Sequence, residues 1–165
     1  MRATFKGHTD EVNSIAFSPD GRSLVSASDD FSVCTWNIRD GSSKKLPVTR
    51  GSSVFVSAVF SPNGRYIAAG DLSHSLWIWD SRTLKLVANW EDHSVWCVEF
   101  TPDGQGLMSG GTDKILKYWD MGSLEILVPA SGQKLATPKH PFPLIRSFSG
   151  HTVCFYFPFL LHVVG

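Results

Sequence analysis

Cysteine is scarce. Cys34, Cys97 and Cys154 are the only three among 165 residues, odd in number, far apart and without a CxxC pair. That excludes a disulfide framework and a thiolate zinc site, fits a reducing compartment, and leaves three small hydrophobic side chains as the ordinary reading. Net charge is missing too: fifteen basic residues balance fifteen acidic ones. No global field therefore draws the chain to nucleic acid or an anionic membrane. From Ile126 onward there is no acid, only Lys134, Lys139 and Arg146, a thin basic bias that a solvated loop explains. The longest apolar run, VCFYFPFLLHVV at 153–164, is broken by Pro158 and His162, and a bilayer-spanning helix needs about 20 residues. The opening MRATFKGHTDE lacks the apolar core of a signal peptide. No 3.6-residue hydrophobic stripe occurs, so helices are not expected. His74, His140 and His162 have no metal-ligand spacing, and Gly104-Gln105-Gly106 belongs to a hairpin rather than a phosphate loop. The expectation is no metal, no cofactor and no small-molecule substrate.

What is present is repetition. FSPDG at 17–21 returns as FSPNG at 60–64 and FTPDG at 100–104. Upstream of each lies a short apolar segment: VNSIAF, FVSAVF and VWCVEF. Downstream come SLVSAS, YIAAGD and GLMSGG, then VCTWN, LWIWD and LKYWD. These pieces are rich in Val, Ile, Phe and Trp and bounded by turn residues, which is a strand signature. In Ser18-Pro19-Asp20-Gly21, proline presets the second turn position and glycine tolerates positive φ at the fourth. A fourth strand is expected at 43–48 and 84–89. Each period of about forty residues thus reads as a four-stranded antiparallel meander. The first strand of each carries apolar residues on both faces, with Val12 and Ala16 pointing one way and Ile15 and Phe17 the other. Sheets covered on both faces and stacked around an axis make a β-propeller.

The units resemble WD repeats. Gly7-His8 opens the first and Trp36-Asn37 stands for its Trp-Asp. Trp79-Asp80 marks the second, His93, Asp113 and Trp119-Asp120 the third, and Gly150-His151 announces another. The resemblance implies an all-β fold, an incomplete propeller of three four-stranded blades plus flanking strands. The expected layout is a partial propeller over 1–151, with blades at about 7–50, 51–92 and 93–150 and a Pro/Gly-rich insert at about 121–143. A leading outer strand is expected at 2–6, and a non-repeat apolar tail at 152–165. Three blades fall short of the four to eight that close a propeller, so the chain reads as a fragment.

The resemblance also implies a structural tetrad: His8, Ser28, Asp30 and Trp36. In the third unit Gly111 takes the Ser position, leaving His93, Asp113 and Trp119. In the second, Asp71 and Ser73 replace Ser and Asp, and only Trp79 remains. His8, Ser28 and Asp30 look like a hydrolase triad, but no Gly-x-Ser-x-Gly elbow accompanies the serine. The expected role is structural, with no catalytic residue and no enzyme.

Propellers of this kind are platforms for other proteins. By family position, one face shows Glu11, Asn13, Asp29, Leu72, Trp96 and Thr112, with Trp96 the natural anchor. The repeat strings are similar to the propeller of fungal Tup-type (Groucho-like) transcriptional corepressors, which implies DNA-binding repressors as partners and a nuclear location. The alternative is a substrate receptor of a cullin-type ubiquitin ligase in the cytoplasm, because Trp79-Asp80-Ser81-Arg82 fits a Trp-Asp-x-Arg adaptor motif through Arg82. Neither reading involves direct nucleic-acid contact or a membrane.

Overall fold

A computed structural model describes residues 4–48, 53–91 and 95–122, and the backbone of 146–149. The described residues form three four-stranded antiparallel sheets. The first contains β1 (Val12–Phe17), β2 (Ser23–Ser28), β3 (Ser32–Asn37) and β4 (Ser43–Lys45). The second contains β5 (Phe55–Phe60), β6 (Tyr66–Asp71), β7 (Ser75–Asp80) and β8 (Leu86–Glu91). The third contains β9 (Val95–Phe100), β10 (Gly106–Gly111), β11 (Ile115–Asp120) and β12 (Arg146–Ser149). Each sheet is a meander in chain order, so this is the all-β, incomplete propeller the repeats imply.

The turns explain the regularity. At the β1–β2 hairpin Gly21 N–H donates to the Ser18 carbonyl at 2.9 Å, with Gly21 at φ 67°. Ser18 Oγ and Arg22 N–H both donate to Asp20 Oδ1. The same bonds recur around Asn63 and Asp103. At the ends of the third strands, side-chain oxygens of Asn37, Asp80 and Asp120 each accept a backbone N–H two residues on. Asn37 serves as well as aspartate there, because only an acceptor oxygen is needed.

The apolar cores lie between sheets. One face of the first sheet (Val25, Ala27, Val33) packs on Phe55, Ile67, Trp77 and Trp79 of the second. The opposite face of the second (Ala68, Leu76, Ile78) packs on Val95, Val98, Leu107 and Trp119 of the third. We call the face toward the preceding sheet leading and the other trailing. Hydrogen bonds stitch the inner strands together: Ala58 N–H donates to Ser14 Oγ at 3.3 Å, and Val98 N–H to Ser57 Oγ at 3.2 Å.

Three details at the start of the chain differ from the sequence-based expectation. First, β1 is not covered on both faces: Ile15 and Phe17 are 66% and 65% exposed, because no described sheet precedes the first. Second, Val12 shares the Ile15 and Phe17 face instead of opposing it. The β1–β2 pairing runs Val12↔Ser28 then Ser14↔Ala27, so a bulge at Asn13 inserts one residue and reverses the alternation. Third, Thr4, Phe5 and Lys6 form no strand; among the described residues no further sheet offers them a ladder. Most of the expected insert and all of the 152–165 tail lie outside the described residues.

Candidate partner-binding rim and the polar network behind it

Every sheet carries the same irregularity. Pairing skips Asn13 in β1, Val56 in β5 and Trp96 in β9. A bulge takes one residue out of the ladder and re-aims its side chain. The three bulges sit at the ends of the inner strands nearest the β2–β3, β6–β7 and β10–β11 hairpins, so they share one rim. Asn13 and Trp96 were foreseen from the sequence as rim residues. Val56 was missed, although its spacing from Asn13 equals the repeat that separates Phe17 from Phe60.

The other foreseen rim positions join them. Asp29 N–H donates to the Glu11 carbonyl, and Asn13 Nδ2 donates to Asp29 Oδ1 and to the Phe55 carbonyl. Asn13 therefore ties the first rim turn to the second sheet. Leu72 N–H donates to the Val54 carbonyl at 3.1 Å, which fixes the β6–β7 turn. Glu11 and Thr112 are exposed and Leu72 is half-buried. Trp96 is 37% exposed, a wide aromatic surface on a fixed backbone. Arg82 is also exposed, but at the opposite rim. It follows β7 and lines a polar cleft of about 550 Å³ with Asp20, Lys44, Asn63 and Ser81. The two sets of candidate partner residues thus lie at opposite ends of the sheets.

Behind the rim of the first sheet runs a hydrogen-bonded chain. Trp36 Nε1–H donates to Ser26 Oγ at 2.7 Å. Ser26 Oγ lies 2.6 Å from His8 Nε2, and His8 Nδ1 lies 2.8 Å from Asp30 Oδ2. Ser32 Oγ and Thr9 N–H complete the Asp30 carboxylate. The directions assign themselves: the indole donates, the hydroxyl passes its proton toward Nε2, and Nδ1–H faces the carboxylate. Burial pushes the Asp30 acid up, but the bonds from Ser32, His8 and Thr9 outweigh it and leave the group at about 2.

The serine in this chain is Ser26, not Ser28. Trp36 lies opposite Leu24 in the β2–β3 ladder. Its same-face diagonal neighbour is therefore Ser26, whereas Ser28 is four residues from Leu24, about 13 Å along the strand. Ser28 instead accepts from Asp30 N–H and faces the Asp10 carbonyl. The same rule corrects the third sheet, where Trp119 Nε1–H donates to Ser109 Oγ at 2.8 Å and Gly111 is uninvolved. Asp113 there is exposed, accepts from Ile115 N–H and pairs with Lys117 at 3.9 Å. His93 lies outside the described residues.

In the second sheet the rule moves up one rung. Trp79 lies opposite Ile67, and its diagonal neighbour is Ala69, which offers no acceptor. Its indole donates to the Pro47 carbonyl of the preceding unit instead. Trp77 lies opposite Ala69, its diagonal neighbour is Asp71, and Trp77 Nε1–H donates to Asp71 Oδ2 at 2.9 Å. Asp71 is 1% exposed and also accepts from Ser73 N–H, Ser73 Oγ and Ser75 N–H.

Ser26, His8 and Asp30 have the spacing of a hydrolytic triad, and their surroundings oppose that use. Ser26 is 3% exposed, and its oxygen already accepts the Trp36 indole. A nucleophile needs an approachable oxygen and oxyanion donors beside it. The arrangement fastens strands and does not present a reactive group.

Sheets stacked along their inner strands, Trp-Asp turns and an indole–hydroxyl–imidazole–carboxylate chain define blades of a WD-repeat propeller. The family model "WD domain, G-beta repeat" matches residues 1–37, 43–80 and 84–120, and the chain belongs to that family. It is 32% identical over 143 residues to the small ribosomal subunit protein RACK1z of Arabidopsis thaliana, covering 74% of this chain and 43% of that protein. It is 31% identical over 134 residues to a guanine nucleotide-binding protein subunit beta of Zea mays, covering 70% of this chain and 34% of that one. The chain thus spans less than half the length of these relatives. The solved structure of U3-55K superimposes with a TM-score of 0.73 at 21% identity, covering 89% of this chain and 42% of the other. That similarity concerns the fold alone.

Proposed function

We propose that this protein is a docking platform for other proteins, and that its partner surface is the rim carrying Glu11, Asn13, Asp29, Val56, Leu72, Trp96 and Thr112. One observation carries the reading: of three bulges at the same register, the third presents the partly exposed Trp96 on backbone fixed by the sheets. Rigid aromatic anchors of this kind dominate binding energy at protein interfaces. The scaffold role agrees with membership of the WD-repeat family. The finer reading is that the platform is a Tup-like corepressor propeller that docks DNA-binding repressors in the nucleus. Its support is the similarity of the repeat strings around FSPDG, FSPNG and FTPDG.

Arg82 supports a second reading, an adaptor contact of a cullin-type ligase in the cytoplasm, because it is exposed on the opposite rim beside a cleft. A pull-down separates the two. Trp96→Ala is expected to weaken capture of a repressor by tenfold or more, about 1.4 kcal/mol or more, while Arg82→Ala leaves it unchanged. Loss of adaptor capture in Arg82→Ala alone would favour the second reading. Capture of both partners unaffected by either change would remove both.

A further inference from the structure

The interface between sheets occurs twice among the described residues, and its two halves occur once more with no described sheet against either. Five leading-face positions define one half. In the second sheet they are Phe55, Ala58, Phe60, Ile67 and Trp79; in the third, Val95, Val98, Phe100, Leu107 and Trp119. All ten are buried or half-buried against the preceding sheet. The same positions in the first sheet are Val12, Ile15, Phe17, Leu24 and Trp36, and Val12, Ile15 and Phe17 are exposed. With Phe5, Gly7 and His8 this face forms a mostly apolar groove of about 480 Å³. The complementary half is the trailing face. Val25, Ala27 and Val33 supply it in the first sheet, and Ala68, Gly70 and Leu76 in the second. Met108, Gly110 and Leu116 repeat it in the third, with Met108 and Leu116 half-buried.

We propose that the leading face of the first sheet docks the trailing face of the third sheet of a second copy of this chain, head to tail. The occupant follows from continuity: the two packed interfaces already show this face receiving this kind of partner, and a second copy carries one ready-made. A head-to-tail interface makes a ring when the rotation closes. The described sheets of two copies number six, within the four to eight that propellers use. The proposal is independent of which protein the rim binds.

Two residues set the affinity of this junction. Cys97 stands where Ser14 and Ser57 accept a backbone N–H from the next sheet, and a thiol accepts weakly. Glu99 stands where the sheets inside the chain have Ala16 and Val59, both packed against the neighbouring core. Docking must desolvate its carboxylate, which weakens the contact.

Light scattering on the purified full chain tests the proposal. The expected mass is twice the 18.2 kDa of one chain, falling to one chain on dilution. Ile15→Glu with Phe17→Glu, both on exposed side chains, is expected to give one-chain mass with unchanged circular dichroism and a melting temperature that no longer depends on concentration. Met108→Glu with Leu116→Glu is expected to do the same from the other face. Mixing the two monomeric variants restores a two-chain species, since one intact junction remains. Cys97→Ser with Glu99→Ala is expected to lower the dissociation constant about tenfold. Should the trailing-face pair fail to fold, this tightening still distinguishes the trailing face from any other contact. A one-chain mass at every concentration overturns the proposal, whether the groove is then bare or covered by residues 152–165. A dimer that survives the trailing-face change, or a species that grows without limit, overturns it equally.

Discussion

The first and second sheets share strand lengths, hairpins and bulge position through their first three strands, yet hold their tryptophans differently. In the first, Trp36 ends a chain of four polar side chains reaching Asp30. In the second, Trp77 and Trp79 stack 9° from parallel with centroids 6.0 Å apart, and one buried carboxylate, Asp71, gathers four donors. Both obey one rule: an indole N–H reaches the same-face residue diagonal to it across the ladder. What the repeat preserves is this geometry. Serine or aspartate, one rung or the next, satisfies it equally well, and that is how two sheets of different chemistry keep one shape.

The comparison is broken most severely at Asp71. Asp71→Ala is expected to cost about 3–5 kcal/mol, because it strands two buried donors at once, the Trp77 indole and Ser75 N–H, and releases the turn bonds from Ser73. Asp71→Asn keeps an acceptor oxygen and is expected to recover about half of that. Ser26→Ala strands one indole and one imidazole nitrogen on a face that borders solvent, so about 2 kcal/mol is expected. Urea titrations followed by tryptophan fluorescence rank the three. A Ser26→Ala loss equal to that of Asp71→Ala would mean that the two networks are equivalent and that burial does not distinguish them.

Glycines sharpen the contrast between packed and open interfaces. A Cβ on Gly70 would lie 2.3 Å from Val95 Cγ1 and 3.0 Å from the Val95 carbonyl, at the junction of the second and third sheets. Gly110 is its counterpart on the trailing face of the third, where among the described residues a Cβ would meet Leu116 Cδ2 alone, at 3.1 Å. Gly70→Ala is expected to cost about 1–3 kcal/mol by overpacking, and Gly110→Ala less than about 1 kcal/mol. Equal effects would show that the junction yields freely. Both are read from thermal melts of the chain at a concentration low enough to keep it monomeric.

Much of this architecture is legible in the sequence. The first and second strands of all three sheets begin and end where VNSIAF, SLVSAS and their counterparts do. The fourth strands are less so. β4 stops at Lys45, with one further bond from Leu46 N–H to the Val33 carbonyl, because the register puts Val48 opposite Phe31, which lies in the β2–β3 turn at φ 63°. β8 begins at Leu86 and not Leu84, because Leu84 occupies the turn at φ 57°, the position Gly41 takes at φ 74° in the first unit. The bulges were not legible, and that one-residue shift is what misplaced Val12. The sequence points to Ser28 where the ladder places Ser26 for a related reason: both are small, polar and on one face, and only the ladder register separates them. The polar chain was legible as a set of residue types around His8, Asp30 and Trp36. The Asp71–Trp77 pair was not, since no pattern of residue types names a rung.

The last contrast concerns acid. Asp30 is held at about 2 in the folded protein, against 3.8 for an unperturbed carboxyl. A depressed folded value means that Asp30 contributes stability which is complete above about pH 4 and is lost as pH falls toward 2. Asp30→Asn is expected to lower stability at neutral pH and to make the dependence between pH 4 and pH 2 shallower. The slope does not vanish, because Asp20, Asp40 and Asp103 also sit low through hydrogen bonds from Ser18, Ser42 and Thr101. Urea midpoints measured across that window decide it. Parallel curves for the variant and the parent would mean that the Asp30 carboxylate is no better satisfied in the folded chain than in water, and the hydrogen bonds from His8, Ser32 and Thr9 would then have to be looser than their geometry shows.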